Sequence, residues 1–115
     1  MKLSSLQQIF TKLVAKLIVF ADCHGYGLTF GETYRPAETA MLYSKKGIGS
    51  SRSLHCVRLA VDFNLFKEGK YLSDTLDHEE LGEYWESLST PDYRCCWGGR
   101  FKDGNHYSIE YGGIK

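Results

Sequence analysis

Two histidines and an aspartate, carried by three short motifs, could together bind a metal ion. The motifs are Ser53-Leu54-His55, Ala60-Val61-Asp62 and Asp103-Gly104-Asn105-His106. Two imidazoles and one carboxylate form a ligand set that leaves the fourth position of a zinc ion open for a water molecule, whose pKa the ion lowers. Asp103 lies three residues before His106 and could accept the proton of that water. The residue types and spacing therefore predict a zinc hydrolase with His55, Asp62 and His106 as metal ligands.

The composition is that of one small domain without a strong electrostatic field. The chain has 115 residues, and its 14 Lys and Arg balance its 14 Asp and Glu. A surface without net charge does not attract the phosphates of nucleic acid, so we expect no nucleic-acid partner.

The four cysteines form no C-x-x-C pair, which favours structural or incidental thiols over metal ligands or disulfides. An isolated histidine in a soluble domain is usually a surface residue or a hydrogen-bonded structural residue, and we expect this of His24 and His78.

The N-terminal segment is apolar but does not match an export signal. Lys12 and Lys16 interrupt its apolar positions, and Asp22 does not fit a small-residue cleavage site. The apolar residues recur at helical spacing, which predicts an amphipathic helix over residues 5–24 that packs on a core. A membrane span is not expected, because no uncharged stretch approaches the required length of about 20 residues. We therefore expect synthesis in the cytoplasm and no membrane insertion.

The elements that must position the site follow from the remaining pattern. It predicts strands over residues 28–34, 57–66 and 106–111, a helix from Pro36 to near Gly47, a loop over 47–53, a turn at 67–70 and a helix capped by Asp77 that ends before Pro91. This order indicates an α+β fold, a small antiparallel sheet flanked by about three helices with the zinc site at the sheet. All of it fits one catalytic domain, residues 1–115.

The geometry of a strand limits how the ligands can meet. In the strand over 57–66, alternation places Asp62 on the face opposite the apolar row of Val57, Leu59, Val61 and Phe63. His55 precedes Asp62 by seven residues, an odd number that would send the two side chains to opposite faces of a straight strand. The site therefore requires a bend around Cys56, and the strand that begins at His106 must lie beside the strand of Asp62.

The two motifs S-x-H-x6-D and D-x-x-H, in this order, resemble the M15 family of zinc peptidases. That family includes D-alanyl-D-alanine carboxypeptidases, dipeptidases and phage endolysins. The resemblance extends to Thr33-Tyr34-Arg35-Pro36 and to Trp97-Gly98-Gly99, so it spans residues 33–107. Two positions depart from the family pattern: Arg58 stands where a glycine is common, and Tyr107-Ser108 replaces the usual Phe-Glu. Arg58 either reaches into the cleft and alters substrate choice or lies along its rim.

The resemblance implies a role for each matching residue. His55, Asp62 and His106 would bind one zinc ion in the M15 or hedgehog-like fold, and Asp103 would be the general base. Arg35 matches the arginine that stabilises the oxyanion of the scissile carbonyl. Ser53 and Trp97 match cleft residues that either contact substrate or support the ligands, although Trp97 could also be a core residue.

The activity implied by the resemblance is hydrolysis of the stem peptide of bacterial peptidoglycan. It is most similar to that of phage or prophage endolysins that cut between L-alanine and D-glutamate and reach the wall after the membrane is opened. Two alternatives remain: a D-alanyl-D-alanine carboxypeptidase or dipeptidase of the same family, and a non-catalytic zinc domain that binds a protein partner. We expect a monomer whose catalytic domain itself supplies the affinity for the wall.

Overall fold

A computed structural model describes residues 1–47 and 53–115 of the chain. Its helices are α1 (Leu3–Cys23), α2 (Ala37–Lys45) and α3 (Glu79–Ser87), and its strands are β1 (Tyr26–Phe30), β2 (Ala60–Lys67), β3 (Lys70–Leu72), β4 (Cys95–Trp97) and β5 (His106–Ile109). The strands form one antiparallel sheet in the order β1-β2-β5-β4, and β3 pairs with the far end of β2. The predicted α+β fold with a small antiparallel sheet and three helices is confirmed.

Helix α1 packs one face on the core, as its periodicity predicts. The residues that it buries follow one another at intervals of three or four: Leu6, Phe10, Leu13, Leu17 and Ala21. The helix begins two residues earlier than predicted, and Gly25 follows its end in a left-handed conformation with φ of 82°. By length and apolar composition alone α1 could also cross a membrane, a test that core helices of soluble proteins pass as well.

Helix α3 covers the sheet and its start differs from the prediction. Asp77 was expected as the cap, but Asp74 caps a 3-10 turn over Thr75–His78 that runs into α3. The Asp77 carboxylate accepts the backbone N–H of Asp74 at 3.0 Å, so it completes a capping box. Within α3, Trp85 is fully buried and its indole N–H donates to the carbonyl of Ser108 at 2.9 Å, which ties the helix to β5.

Five strand boundaries differ from the sequence prediction; among them, β2 ends at Lys67 rather than at residue 66, and β5 ends at Ile109 rather than at residue 111. β1 begins and ends earlier, because its register with β2 runs from Tyr26 opposite Lys67 to Phe30 opposite Phe63. β2 begins at Ala60 rather than at residue 57, and β4 was not predicted. The predicted loop over 47–53 lies mostly outside the described residues. Helix α2 and the turn that leads into β3 lie where the sequence predicted them.

Candidate metal centre

The central strand pair places two of the predicted ligands side by side. In the antiparallel register of β2 and β5, Asp62 lies directly opposite His106. Directly opposed residues point to the same face of a sheet and their Cβ atoms lie about 5 Å apart. The expectation that the last strand neighbours the Asp62 strand is confirmed.

His55 reaches the same face because the chain bends before β2 begins. Residues Leu54–Val57 form one 3-10 turn, and the Ser53 hydroxyl accepts the backbone N–H of His55 at 3.1 Å. Arg58 then adopts a left-handed conformation with φ of 56°, which reverses the chain into β2. This turn is the predicted bend, and it removes the conflict that a straight strand would create between the side chains of His55 and Asp62.

The three side chains form a compact donor set. The Asp62 Oδ1 atom lies 3.4 Å from His55 Nε2 and 3.3 Å from His106 Nδ1, and one donor atom of each residue lies within 4.8 Å of the others. An ion bound tetrahedrally through bonds of about 2.0–2.1 Å holds its donors about 3.3–3.4 Å apart. Two of the three donor pairs already have this spacing, so the residues fit such an ion.

A hydrogen bond fixes the orientation of the His55 imidazole. His55 is 3% exposed, and its Nδ1 atom lies 2.9 Å from the carbonyl oxygen of Thr33. A carbonyl only accepts, so Nδ1 carries the proton and donates it, which leaves the lone pair of Nε2 directed at the donor set. His106 is 7% exposed and presents Nδ1 to Asp62, while its buried Nε2 has no hydrogen-bond partner among the described residues.

The electrostatics of the cluster keep Asp62 ionised. Burial by itself would raise the pKa of the Asp62 carboxyl. When His106 and His55 are protonated, their hydrogen bonds and positive charges together outweigh burial and lower the pKa of Asp62 to about 2. For His55, burial opposes the charged form, yet Asp62 and the Thr33 carbonyl together raise its pKa. The cluster is therefore an anionic ligand between two imidazoles, a set suited to a divalent cation.

Asp103 lies on a loop that approaches this cluster from the side. Its Oδ2 atom is 4.0 Å from His106 Nδ1, and 54% of its side chain is exposed. Partial burial raises the pKa of Asp103, and the charge of Asp62 acts in the same direction, while His106 and His55 oppose the rise. This carboxylate is beside the donor set without belonging to it, and its raised pKa favours taking up a proton.

Packing of the loop over residues 98–105 fixes where Asp103 lies. The backbone N–H of Asp103 donates to the carbonyl of Gly98 at 2.9 Å, and a Cβ atom on Gly98 would lie 2.1 Å from the carbonyl oxygen of Asp103. The indole N–H of Trp97 donates to the carbonyl of Gly104 at 2.7 Å. Trp97 is 2% exposed, and this position favours support of the loop over direct contact with substrate.

Arg35 is held by a carboxylate that the sequence analysis missed. Both its Nε, at 2.9 Å, and its Nη2 donate to Glu32 Oε1, and its backbone N–H donates to the His55 carbonyl at 3.1 Å. The same Glu32 oxygen lies 3.8 Å from His55 Nε2, and the Glu32 carbonyl accepts the backbone N–H of Asp62 at 2.8 Å. The signal that could have found Glu32 is an acid three residues before Arg35 in the strand-to-helix connection.

The remaining predicted residues lie around the cluster. Ser53 is partly buried and its hydroxyl supports the His55 backbone. The guanidinium of Arg58 lies 4.0 Å from the ring centre of Tyr34, beside a cavity of about 310 Å³ that is also lined by Phe10 and Val14. Arg58 lines this cavity, and the choice between its two predicted positions, in the substrate cleft or along its rim, stays a prediction. All four cysteines are free thiols.

Among solved structures, the fold is similar to that of the crystal structure of Serratia marcescens L-Ala D-Glu endopeptidase ChiX. The TM-score is 0.72 at 15% sequence identity, and the match covers 90% of this chain and 79% of that one. At this identity the similarity shows the fold alone. No family model matches the sequence, and a search of curated proteins finds no match.

Proposed function

We propose that this chain is a zinc-dependent peptidase that cuts the stem peptide of peptidoglycan between L-alanine and D-glutamate. The observation that carries the proposal is the donor set of His55, Asp62 and His106 with the Asp103 carboxylate 4.0 Å from His106 Nδ1. The motifs that resemble the M15 family support zinc and the reaction class. The fold shared with ChiX, which is described as an L-Ala D-Glu endopeptidase, supports the substrate.

The donor set has the properties that a zinc ligand set needs. His55 Nε2, an oxygen of Asp62 and His106 Nδ1 would hold the ion, which when bound supplies a Lewis acid that activates water and polarises the scissile carbonyl. Asp62 contributes a negative charge at neutral pH because its pKa is about 2. The hydrogen bond from His55 Nδ1 to the Thr33 carbonyl fixes the ring in the orientation that ligation requires.

Asp103 would transfer the proton. In the proposed reaction it removes a proton from the attacking water and later delivers that proton to the leaving amine, so it works as base and then as acid. A raised pKa suits both steps, since a carboxylate that holds protons weakly would be a poor base. Its half-exposed side chain also leaves room for water and substrate beside the donor set.

Arg35 would stabilise the negative charge that develops on the carbonyl oxygen. Its side chain is 12% exposed and oriented by Glu32, so its guanidinium is already positioned before substrate binds. A positioned donor of this kind commonly contributes about 10²–10³-fold to the rate. In this proposal Glu32 acts only through Arg35, as a positioning residue.

The experiment that tests the function is digestion of purified peptidoglycan followed by mass spectrometry. The proposed cut leaves L-alanine carboxyl ends on the glycan strands and releases peptides that begin with D-glutamate. Zinc-loaded protein should produce both ends, and the Asp103→Asn variant serves as the control for contaminating hydrolases. Release of free D-alanine instead would identify the carboxypeptidase alternative, and bound zinc without any product would identify the non-catalytic zinc domain.

The place of action follows from the proposed substrate. We propose that the protein acts as a monomer on the cell wall and reaches it from the cytoplasm after the membrane has been opened. Light scattering of the zinc-loaded protein at the concentration of the digestion assay tests the monomer. Lysis assays that add the protein to intact cells and to cells with permeabilised membranes test the access.

A further inference from the structure

A polar cavity of about 210 Å³ opens beside Asp103. It lies between the end of β3 and the loop over residues 102–105. The polar residues that line it are Ser73, Thr75, His78, Lys102, Asp103 and Asn105. Because the Asp103 carboxylate also lies 4.0 Å from His106 Nδ1, the cavity adjoins the candidate metal centre.

A buried histidine lines this cavity with one nitrogen unused. His78 is 3% exposed, and its Nδ1 atom lies 2.8 Å from the hydroxyl of Tyr107. Its Nε2 atom makes no hydrogen bond to the described part of the chain, but this atom retains some contact with solvent. The free nitrogen is therefore reached from the cavity.

The partner of His78 decides which of its nitrogens carries the proton. Tyr107 is fully buried, and among the described residues His78 is the partner of its hydroxyl. A buried hydroxyl hydrogen needs an acceptor, so the Tyr107 O–H donates to Nδ1. The proton of the neutral imidazole then resides on Nε2. Burial lowers the pKa of His78, which keeps this neutral form dominant at neutral pH.

Two of the residues that line the cavity can attract an anion. His78 supplies an N–H and Lys102 supplies a positive charge one residue before Asp103. The Lys102 backbone is left-handed, with φ of 64°. An N–H donor and a cation together match a carboxylate.

We propose that this cavity is a subsite that binds a carboxylate of the substrate peptide through His78 Nε2–H and Lys102, next to the bond that is cut. The inference rests on the proposed function, since the D-glutamyl residue of the stem peptide carries a free carboxylate beside the L-Ala–D-Glu bond. The subsite would hold the leaving part of the peptide while Asp103 delivers the proton to its amine.

Binding of the dipeptide γ-D-Glu-L-Lys, which begins with D-glutamate as the released peptide would, tests the subsite without requiring catalysis. The matched ligand is the same dipeptide with a carboxamide in place of the glutamyl carboxylate, and the Kd of each is measured by NMR titration of the zinc-loaded protein. We expect the carboxylate to bind about tenfold or more tightly, and the Nε2–H signal of His78 to shift on binding. Equal affinities, or a His78 signal that does not move, would overturn the proposal.

Two variants locate the preference in this cavity. Lys102→Asn suits the left-handed backbone, because asparagine tolerates positive φ, and it should bring the ratio of the two Kd values close to one. Lys46→Asn, which removes an exposed lysine at the end of α2, should leave the ratio unchanged. His78→Gln should also reduce the ratio, and thermal unfolding shows whether that buried substitution folds. A ratio that survives both Lys102→Asn and a folded His78→Gln would overturn the assignment.

The two proposals fail in different ways. If the protein cleaves peptidoglycan but shows no preference for the carboxylate, the subsite is contradicted and the peptidase proposal stands. If it binds the carboxylate but does not cleave peptidoglycan, the peptidase proposal is contradicted and the binding site stands.

Discussion

Asp62 and Asp103 are the same residue type in two regions that treat a carboxylate in opposite ways. The strand pair β2 and β5 holds Asp62 between two imidazoles at 3.3 and 3.4 Å, and its pKa falls to about 2. The loop over 98–105 holds Asp103 at 4.0 Å from one imidazole, half exposed, with a raised pKa. One environment makes a permanent anion that can serve as a ligand, and the other makes a carboxylate that can take and release a proton.

The two regions also fix their aspartates by different means. The backbone of Asp62 is hydrogen-bonded to the segment that follows β1. Its N–H donates to the Glu32 carbonyl at 2.8 Å, and its carbonyl accepts from the Gly31 N–H at 2.7 Å. The position of Asp103 depends on the packing of its loop. The buried Trp97 donates a hydrogen bond to the Gly104 carbonyl, and Gly104 packs so closely on Thr75 that a Cβ atom there would lie 2.5 Å from Thr75 Cα. Strand pairing places the proposed ligand Asp62, and close packing places the proposed base Asp103.

The largest expected effect comes from breaking the strand-pair side. Asp62→Asn removes the anionic donor. Loss of a residue that only hydrogen-bonds to a metal ligand lowers metal affinity by roughly 10–100-fold, so we expect a larger fall in zinc affinity here. Hydrolysis should fall to background. Metal analysis after dialysis and the peptidoglycan digest measure the two losses. Asp92→Asn, at an exposed position, is the matched control. Retention of about one zinc per chain by Asp62→Asn would show that Asp62 is not a ligand.

Breaking the loop side should separate metal binding from turnover. Asp103→Asn removes the base but no donor, so we expect the zinc content to stay the same and kcat to fall by about 10²–10⁴-fold. Steady-state kinetics together with metal analysis of the same preparation measure this separation. A variant that loses zinc along with activity would instead place Asp103 among the ligands.

Gly104→Ala tests whether the packing of the loop positions Asp103. The added methyl group would lie 2.5 Å from Thr75 Cα and 2.9 Å from the Thr75 carbonyl oxygen, so the loop must move. We expect kcat to fall by about 10–100-fold with unchanged zinc content, because misplacement of a catalytic group by about 1 Å can have such an effect. Gly27→Ala is the control, since its new methyl would meet only Phe66 Cβ at 3.7 Å.

The smallest expected effect is the pH dependence of stability in the metal-free protein. The folded pKa of Asp62, about 2, lies below the unfolded value of about 3.9, so its contribution is present above pH 4 and is lost as pH falls through 2. Between about pH 5 and pH 2 the stability advantage over Asp62→Asn should shrink by about 2 kcal/mol in urea unfolding. Because the pKa of Asp103 is raised, the wild type should show no such loss relative to Asp103→Asn. Parallel behaviour of both variants would contradict the contrast between the two carboxylates.

Several features of the site could be predicted because they depend on local geometry. The alternation of a strand placed Asp62 opposite its apolar row, and the odd spacing from His55 required the bend that the turn Leu54–Val57 provides. Other features could not be predicted. Asp74 rather than Asp77 caps the turn before α3, because either acid satisfies the same local pattern and only the final hydrogen bonds distinguish them.

The sequence by itself determined which donors exist, their order along the chain and the face on which Asp62 lies, since these depend on residue type and on the period of a strand. Only the tertiary structure decided that one aspartate loses its proton at pH 2 while the other holds its proton more tightly than usual. It also decided that Glu32 orients Arg35 and that Trp97 supports a loop. The physical reason is that desolvation and charge interactions act over a few ångströms between segments that are far apart in the chain.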